Sequence, residues 1–529
     1  MALSPSARNS LFVFSGTLTS RILGFLRVIL IGTTLGYTRL SDSYSLANET
    51  PNMMYELILG SLIASTMVPF FVQQYKRKDR EADDALMSFV FVSSLVLVAI
   101  AMALAPLIAQ FMTALNSSSS ANAQKNLVVF FLLFFLPQIF FYAMTASMQS
   151  YLAARSRFIT AAFAPIANNI VVIATLIYIR SRSAELDVPL SSIRTSSLIK
   201  ILAVGTTTGV VIVALIVAGA YVNAGGRIKL VSLRNPAVPA LIGRSKWMVG
   251  YAIANQIALF VIIAFANSFT GGVVMYLVAW SFFQLPHGLF ANSIMTTMVP
   301  RITHTLEQKG DDPNDIVATQ STSTLTRQTA TGLTIIMGVI AAIGISISIP
   351  SLVLLLAHGN ISVDQAKHTG RVLIGFLTFL PAFSLYLFCV RLANSLNKTK
   401  NIFFINVLQN SLNVILALIL KGAFSVVGLA VAFSLSYLLV TPLSIGVASK
   451  NLKSNLLEYK TTSIMISTCV IAAILGFTIS SNLENSYIAV LGGAISCSFV
   501  LLVGAFFAKD DLKDLARLVY RRSPSSVSD

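Results

Sequence analysis

The chain has 529 residues, of which 55% are apolar and only 11% are charged, and its mean hydropathy is +0.79. Soluble globular proteins carry about 25% charged residues, so this composition excludes a soluble enzyme. The net charge of +17 would suggest nucleic-acid binding in a soluble protein, but the basic residues lie in clusters between hydrophobic runs. That pattern is typical of the cytoplasmic loops of membrane proteins, and we expect no nucleic-acid partner.

Apolar runs, each long enough to cross a bilayer, recur along the whole chain. They predict an all-α polytopic membrane protein with about 14 transmembrane helices. The predicted spans are residues 9–36, 43–75, 85–114, 127–153, 157–179, 199–222, 246–269, 272–299, 329–357, 371–396, 402–421, 424–448, 462–482 and 486–508. The N-terminus lacks the features of a signal peptide, so we expect the first span to be retained.

The distribution of basic residues predicts the orientation in the membrane. With an even number of spans both termini lie on one side. If that side is the cytoplasm, 25 of the 37 lysines and arginines lie there and nine lie outside, as the positive-inside rule requires. We therefore expect cytoplasmic termini, including a basic tail at 509–529 whose Ser-rich end is expected to be disordered.

Short motifs recur in chain order and suggest an internal repeat. Residues 66–69 (TMVP) recur at 297–300, and the Phe-Leu-Pro motif at 135–137 recurs at 379–381. At the latter offset Asn169 corresponds to Asn413. The pattern predicts two pseudo-symmetric lobes of six helices with a cavity between them, followed by two extra C-terminal helices. The predicted domains are an N-lobe at 1–223, a C-lobe at 224–450, helices thirteen and fourteen at 451–508, and the cytoplasmic tail.

Two arginines, Arg21 and Arg27, lie inside the first predicted span. An arginine near the bilayer centre costs roughly 2.5–3.5 kcal/mol on insertion scales, and such a residue normally marks function. On a helix these residues are about 120° apart around the axis and about 9 Å apart along it, with Gly24 midway. We expect both guanidinium groups to point into one cavity, across a gap without a side chain, where they would suit an extended phosphate-bearing ligand.

Snorkelling or ion pairing is the competing interpretation of these arginines, with Asp42, Glu49 or Glu56 of the next span as the partner in an ion pair. In the second half, Arg391 is the single cation inside a predicted span. Because Arg391 lies shortly before Lys398, a snorkelling position at the interface competes with a position that lines the cavity.

Proline and polar residues interrupt the second and eighth spans. Pro51 removes a helix hydrogen bond close to Asn52, and Pro286 lies beside Gln284 and His287. Broken helices of this kind often form transporter sites, although a simple packing kink is equally consistent with a single proline.

A second set of polar residues could hold a cation such as Na⁺ through neutral side-chain oxygens. The candidate cation site comprises Asn255, Asn406, Asn410 and Asn413. Asn406 and Asn410 form an i,i+4 pair on one helix face, as Gln409 and Asn413 do. Ordinary hydrogen bonding between helices is the simpler interpretation of the same residues.

The sequence predicts no metal site, cofactor or catalytic motif. Cys389, Cys469 and Cys497 lie in apolar runs without metal-ligand spacing, and the four histidines are scattered. GxSxG, Walker A and HExxH motifs are absent from the sequence. We therefore expect a transporter rather than an enzyme, driven by Na⁺ or by the membrane potential.

A series of further motifs extends over most of spans one to twelve. The most specific is residues 20–27 (SRILGFLR). The others are Asp42, Pro51-Asn52, Met67-Val68-Pro69, Arg157-Phe158, Ala164-Pro165, Asn169, residues 284–288 (QLPHG), Val299-Pro300-Arg301 and Arg391. Together these residues resemble the MurJ (MviN) family of lipid II flippases.

This resemblance implies fourteen helices in two six-helix lobes, a cationic cavity, and a groove at helices thirteen and fourteen that admits a polyprenyl tail. It implies export of lipid-linked peptidoglycan precursor, a polyprenyl-pyrophosphate glycolipid, across the bacterial plasma membrane by alternating access. Arg21 and Arg27 match the family's essential first-helix arginines, and Asp42 matches its acidic residue at the outer end of the cavity. Membrane lipids, and cell-wall synthesis proteins at the cytoplasmic face, are the other expected partners.

Two departures from the family pattern concern substrate contacts. Tyr55-Glu56 stands where many members have basic residues, and Trp280-Ser281 stands where they have an Asp-Arg pair. Both departures are similar to those of actinobacterial relatives, to which we expect the chain to be closest. The predicted substrate-binding residues are Arg21, Gly24, Arg27, Asp42, Pro51, Asn52, Glu56, Gln284 and Arg391.

Two other functions compete with the flippase interpretation. A cation-coupled exporter of drugs or other small molecules would need a titratable carboxylate deep in one lobe, for which Glu56 is a candidate. A membrane glycosyltransferase acting on the same lipid would need a catalytic acid in a roomy outer loop. The longest predicted outer loop, 180–198, contains only Glu185 and Asp187 as acids.

Overall fold

Helices make up almost all of the described chain, which confirms the predicted all-α class. The computed structural model describes residues 5–60, 63, 67–182, 189–227, 229–231, 246–308, 316–396, 399–452 and 455–508, and this part of the chain contains no β-strand. The helices are α1 (Pro5–Leu35), α2 (Arg39–Tyr55), α3 (Val68–Arg77), α4 (Arg80–Thr113), α5 (Ala121–Phe135), α6 (Gln138–Ala153), α7 (Ile159–Arg180), α8 (Ser197–Asn223), α9 (Lys246–Ala266), α10 (Gly272–Pro286), α11 (Asn292–Gln308), α12 (Ile316–Leu356), α13 (Val363–Leu377), α14 (Leu380–Ser395), α15 (Thr399–Leu452), α16 (Tyr459–Ser481) and α17 (Ser486–Phe507). Two π-helical turns, Glu56–Gly60 and His287–Ala291, follow α2 and α10.

Eleven helices among the described residues are long and apolar enough to cross a membrane. A twelfth span results if α13 and α14, which are bent by 47°, count as one. The chain is therefore a polytopic membrane protein, but the predicted number of fourteen spans is not confirmed. The predicted span 43–75 is not among the eleven. It consists of α2, a π turn and α3 instead of one continuous helix. Residues 61–62 and 64–66 of this span lie outside the described part of the chain.

The eleventh and twelfth predicted spans form one element, α15, that is interrupted at a single residue. A straight helix of 54 residues would be about 81 Å long, more than twice the thickness of a hydrocarbon core of about 30 Å. Ser425 leaves the helical conformation, with φ 55° and ψ −137°. Each part of α15 is by itself longer than the roughly 20 residues that a crossing needs. The break at Ser425 therefore divides α15 into two parts, each long enough for one of the two predicted spans.

Two compact units divide the chain. Unit 1 comprises Met1–Val278 together with His358–Ile361, and unit 2 comprises Ala279–Ala357 and Ser362–Asp529. The predicted domain boundaries after residues 223 and 450 stay predictions, and the tail at 509–529 lies outside the described residues.

Local structure supports the internal repeat. The π turn His287–Ala291 begins 231 residues after Glu56–Gly60, the same spacing that separates the two TMVP motifs. The Phe-Leu-Pro motifs mark two further matching breaks, one between α5 and α6 and one between α13 and α14. A π turn inserts an extra residue into a helix, and such turns are frequent at functional sites.

In unit 1, α1 packs along α7. The aromatic ring of Phe163 lies against Gly16, and the Asn169 side-chain amide donates a hydrogen bond to the Ser20 carbonyl oxygen over 3.0 Å. At the other end of both helices, the Arg180 guanidinium donates to the Thr33 hydroxyl over 3.4 Å. Helix α7 therefore contacts α1 from Gly16 to Thr33.

The end of α1 also binds the short segment His358–Ile361. The Asn360 backbone N–H donates to the Thr33 carbonyl oxygen over 3.1 Å, and the Asn360 side-chain amide donates to the Thr34 carbonyl oxygen over 2.7 Å. These bonds satisfy two of the carbonyl groups that the C-terminus of a helix leaves without partners.

In unit 2, α16 and α17 pack on α12 through small side chains. Ala342 of α12 is buried together with Cys469, Ala472 and Cys497. The opposite face of α17 carries large apolar side chains that are exposed, with Phe499, Leu502 and Phe506 each at least two-thirds accessible. An exposed apolar face of this size suits contact with lipid tails.

Candidate functional site

The two arginines of α1 differ in exposure, and neither forms a direct ion pair with an acid among the described residues. The Arg21 side chain is exposed, whereas Arg27 is half-buried and its Nε atom is buried without a hydrogen-bond partner among the described residues. Within that part of the chain, neither guanidinium lies within 4.0 Å of a carboxylate oxygen. A direct ion pair of either arginine with an acid of the next span is therefore absent among the described residues.

Arg27 nevertheless lies in a polar environment inside unit 1. Its positive charge acts on the Glu49 carboxyl group of α2 and on the hydroxyl groups of Tyr44 and Tyr142. A guanidinium that is half-buried among such groups interacts more strongly with an approaching anion than one in bulk water, because the local dielectric constant is lower.

The expected gap between the arginines is not open. A side chain at Gly24 would meet the Asn169 amide, whose nitrogen and oxygen lie 3.6 and 3.8 Å from the position of a Cβ atom. The prediction of a side-chain-free gap at Gly24 is therefore wrong, because α7 covers this face of α1. The structure instead brings the Asn169 amide against Gly24, where it also donates a hydrogen bond to the Ser20 carbonyl oxygen.

Asp42 caps a helix rather than facing an open surface. Its carboxylate is fully buried and accepts hydrogen bonds from the backbone N–H groups of Gly271 (2.7 Å), Val273 (3.0 Å) and Val274 (3.4 Å) at the start of α10. The Arg39 guanidinium lies 4.0 Å from the same carboxylate. The predicted substrate contact of Asp42 is therefore not available in this structure, because both carboxylate oxygens are already occupied.

The interruption of the second span falls later than predicted. Helix α2 continues through Pro51, which is buried, and the irregular turn begins at Glu56. Asn52 is exposed and Glu56 is half-buried. The Glu56 carboxylate folds back over Gly60, where a Cβ atom would collide with it. The π turn thus holds a carboxylate against its own backbone.

The corresponding region of unit 2 is aromatic. The Trp280 ring contacts Phe283, Phe376 and Phe433 at centroid distances of 5.2, 5.4 and 5.1 Å. His287, in the π turn, is buried and its Nδ1 lies 3.1 Å from the Ser384 hydroxyl. Gln284, the predicted substrate contact on this helix, is half-buried beside this cluster.

Arg391 of α14 does not snorkel freely. Its guanidinium donates one hydrogen bond to Asn292 Oδ1 over 2.7 Å and another to Thr296 Oγ1 over 3.2 Å. Both partners lie on α11, one helical turn apart, and both are uncharged. Sequence analysis missed these two residues, although their i,i+4 spacing would have placed them on one helix face.

The candidate cation site is divided between the two units. Asn255, half-buried, lies on α9 of unit 1, whereas the other three members lie on α15 of unit 2 and are buried. The Asn410 amide donates to the Asn406 carbonyl oxygen over 3.0 Å, and the neighbouring Gln409 amide donates to the Ser436 hydroxyl over 2.9 Å. These contacts support hydrogen bonding within and between helices. No group of three or more His, Cys, Asp or Glu side chains that could hold a metal ion occurs among the described residues.

Comparison with solved structures supports the fold. A structure described as "Lipid II flippase MurJ, inward closed conformation" matches with a TM-score of 0.75 at 18% identity, covering 95% of this chain and all of that one. The inward-facing conformation of a multidrug resistance MATE family transporter of the MOP superfamily matches with a TM-score of 0.63 at 12% identity, covering 82% of this chain and 94% of that one. Both similarities concern the fold alone.

Comparison of sequences shows the family. The "Probable lipid II flippase MurJ" of Haemophilus influenzae is 24% identical, over 79% of this chain and 82% of that protein. The corresponding protein of Rickettsia prowazekii is 21% identical, over 79% of each chain. The expected closeness to actinobacterial members stays a prediction. A family model described as "Lipid II flippase MurJ" matches residues 31–493, most of the sequence. The chain therefore belongs to the MurJ family of lipid II flippases.

Proposed function

We propose that this protein moves lipid II, the lipid-linked peptidoglycan precursor, from the inner to the outer leaflet of the bacterial plasma membrane by alternating access. In this proposal both termini are cytoplasmic, and cell-wall synthesis proteins meet the protein at that face. The observation that carries it is the pair Arg21 and Arg27, two cations within an apolar span, neither of which has a carboxylate oxygen within 4.0 Å among the described residues.

The two arginines suit a pyrophosphate for chemical reasons. A guanidinium group binds phosphate oxygens through two parallel hydrogen bonds and stays charged at every cellular pH. Arg27 retains a buried Nε donor without a partner among the described residues. An unsatisfied buried donor of this kind is unfavourable, and an incoming phosphate oxygen would satisfy it. The Asn169 amide, which packs against Gly24 between the arginines, would limit how deeply the ligand enters.

Membrane potential can supply the direction of transport. A head group with two negative charges gains about 4.6 kcal/mol when it moves outward across a potential of about 100 mV, negative inside. Because this gain requires no nucleotide hydrolysis, the proposal needs no ATPase partner. Loss of contact with the arginines in the outward-open state would then release the lipid.

The decisive experiment reconstitutes the purified protein in unilamellar vesicles that contain fluorescent lipid II. A membrane-impermeant quencher reports the fraction of lipid in the outer leaflet, with and without an imposed potassium diffusion potential. We expect protein-dependent translocation that accelerates when the starting side is negative. A polyprenyl glycoside without the pyrophosphate is the matched control and should not move. Equal movement of both lipids, or none of lipid II, would contradict the proposal.

Cation-coupled export of small molecules is the second candidate, because Glu49 and Glu56 place two half-buried carboxyl groups on α2 and its π turn. The same vesicles test it with a pH gradient in place of the potential. Transport of organic cations that follows the pH gradient and disappears in Glu56→Gln would favour the exporter over the flippase.

A further inference from the structure

Basic residues are concentrated in one stretch of the chain that the proposed orientation places outside. Four of the nine outer lysines and arginines lie between residues 180 and 200. They are Arg180 and Arg182 at the end of α7, and Arg194 and Lys200 around the start of α8. We call these four residues the outer cationic patch. Because the positive-inside rule disfavours basic residues on this side, their concentration here indicates a function other than setting the topology.

Packing of α7 against α8 brings the patch to one end of this helix pair. Two close contacts occur in opposite order along the two helices: Asn168 against Gly209, and Thr175 against Gly205. The helices are therefore antiparallel. Arg180 lies five residues after Thr175, and Lys200 lies five residues before Gly205. Both basic residues therefore reach the same end of the pair, together with the turn that contains Arg194.

The patch is exposed, and the described residues do not cancel its charge. Arg180, Arg194 and Lys200 are exposed, and none of the three has a carboxylate oxygen within 4.0 Å among the described residues. The group that holds Arg180 is uncharged: its guanidinium donates to the Thr33 hydroxyl of α1 over 3.4 Å. Three cations are thus available to an anion from outside.

The contact with Thr33 relates the patch to the arginines of α1. Six residues separate Arg21 from Arg27, and six more separate Arg27 from Thr33, so each step is about 9 Å along the helix axis. Arg180 therefore lies about one such step beyond Arg27, in the outward direction. We propose that the outer cationic patch is an exit site that binds the pyrophosphate of the transported lipid after it leaves Arg27. This inference rests on the proposed function and its orientation.

Exposed apolar side chains beside the patch indicate that its ligand is a lipid. They lie within about one helical turn of the basic residues: Ile177 and Tyr178 on α7, and Ile201 and Val204 on α8. On membrane helices such side chains face lipid tails, and long basic side chains at the helix ends extend to the level of the head groups. The patch therefore suits a ligand with a phosphate at that level and an apolar tail.

Charge favours the transported lipid over an ordinary phospholipid. A pyrophosphate carries at least two negative charges, whereas phosphatidylglycerol carries one, and attraction to clustered cations grows with the charge of the ligand. Solvent screens exposed cations, so binding should be moderate and the product can leave again. Together with the membrane potential, such a site would hinder return of the head group to Arg27.

The test measures capture of lipid at the patch itself, with full-length protein in nanodiscs. A photoreactive benzophenone amino acid replaces Ser197, an exposed residue between Arg194 and Lys200. The probes are a polyprenyl pyrophosphate without sugar or peptide and, separately, phosphatidylglycerol. We expect capture of the pyrophosphate, at least about tenfold less in the combined variant Arg180→Gln, Arg194→Gln and Lys200→Gln, and a strong decrease in high salt.

The matched control is Lys367→Gln. Lys367 is another exposed cation that the proposed orientation places outside, on α13, and its replacement should leave capture unchanged. The three native cysteines are buried, so Ser191→Cys provides one exposed thiol beside the patch. In sealed vesicles of known protein orientation, an impermeant maleimide should label this thiol from the outer side. Thermal denaturation at the wild-type temperature checks that the combined variant is folded.

Equal capture by the combined variant and the wild type would overturn the inference. Capture of phosphatidylglycerol as efficient as that of the pyrophosphate would also overturn it, as would labelling of Ser191→Cys from the inner side only. Failure of the proposed function has a different signature. In that case wild-type protein with native Ser197 would not translocate lipid II in the vesicle assay, whatever the benzophenone variant captures.

Discussion

Helices α2 and α10 are copies of one element that share a backbone and differ in chemistry. Each ends in a π turn, and the two turns are 231 residues apart. Three pairs of positions at that spacing are polar in the first copy and aromatic in the second: Glu49 and Trp280, Asn52 and Phe283, and Glu56 and His287. The first copy places the Glu49 carboxyl group near Arg27, whereas the second packs rings against rings. The repeat therefore preserves the π turn in both copies. The side chains around it determine which copy suits a charged ligand.

The substitution that tests this difference between α2 and α10 most strongly is Phe283→Ala. Phe283 is fully buried and contacts the rings of Trp280, Phe376, Phe383 and Phe433, so truncation leaves a cavity. We expect a loss of about 3–5 kcal/mol of stability, measured by thermal denaturation in detergent. Asn52→Ala, at the exposed equivalent position of α2, should change stability by less than about 0.5 kcal/mol. Similar losses in both variants would show that the two helices are packed alike.

The next largest effect is expected from Asp42→Ala, since the start of α10 depends on a side chain of α2. Without the carboxylate, the N–H groups of Gly271 and Val273 would be buried without acceptors. We expect a loss of about 2–3 kcal/mol in the same denaturation assay. Asp364→Ala is the control: Asp364 is an exposed acid in the first turn of α13 and should contribute less than about 1 kcal/mol. Equal shifts would contradict the capping role.

A smaller effect should follow from Gly271→Ala at the turn before α10. Gly271 has φ +73°, and a Cβ atom there would lie 2.7 Å from the carbonyl carbon and oxygen of Tyr37. Strain of this kind costs about 1–3 kcal/mol. Gly332→Ala in α12, where a Cβ meets nothing within 4 Å, should be neutral or slightly stabilising. If Gly271→Ala denatured at the same temperature as the wild type, Gly271 would not lie as close to Tyr37 as the structure shows.

The smallest effect is expected far from both helices, at the ion pair of Arg327 with Glu458. The two side chains are 42% and 26% exposed, so solvent screens their attraction. Glu458→Gln should therefore lower stability by at most about 0.5 kcal/mol, and the small difference should vanish in high salt. A salt-independent loss several times larger would show that this pair is structural.

Sequence patterns were sufficient for the helical class, the position of most spans and the repeat, because apolar runs and local motifs determine them. They were not sufficient for contacts between distant segments. Asp42 bonds to residues about 230 positions away, and Asn169 fills the face at Gly24; no local pattern reports either contact. The sequence predicted a gap between spans 402–421 and 424–448, and the break lies at Ser425, just inside the second of them. Asn292 and Thr296, which accept hydrogen bonds from Arg391, were missed because their role depends on a contact with α14, a distant segment of the chain.

The central claim is that Arg21 and Arg27 are left without acidic partners because the anionic lipid is their partner. The most direct measurement is lipid II translocation by Arg21→Ala and Arg27→Ala in reconstituted vesicles, beside Arg77→Ala, an exposed arginine at the end of α3. We predict rates roughly 100-fold lower for the first two variants and an unchanged rate for the third. Translocation by both α1 variants at the wild-type rate would contradict the claim.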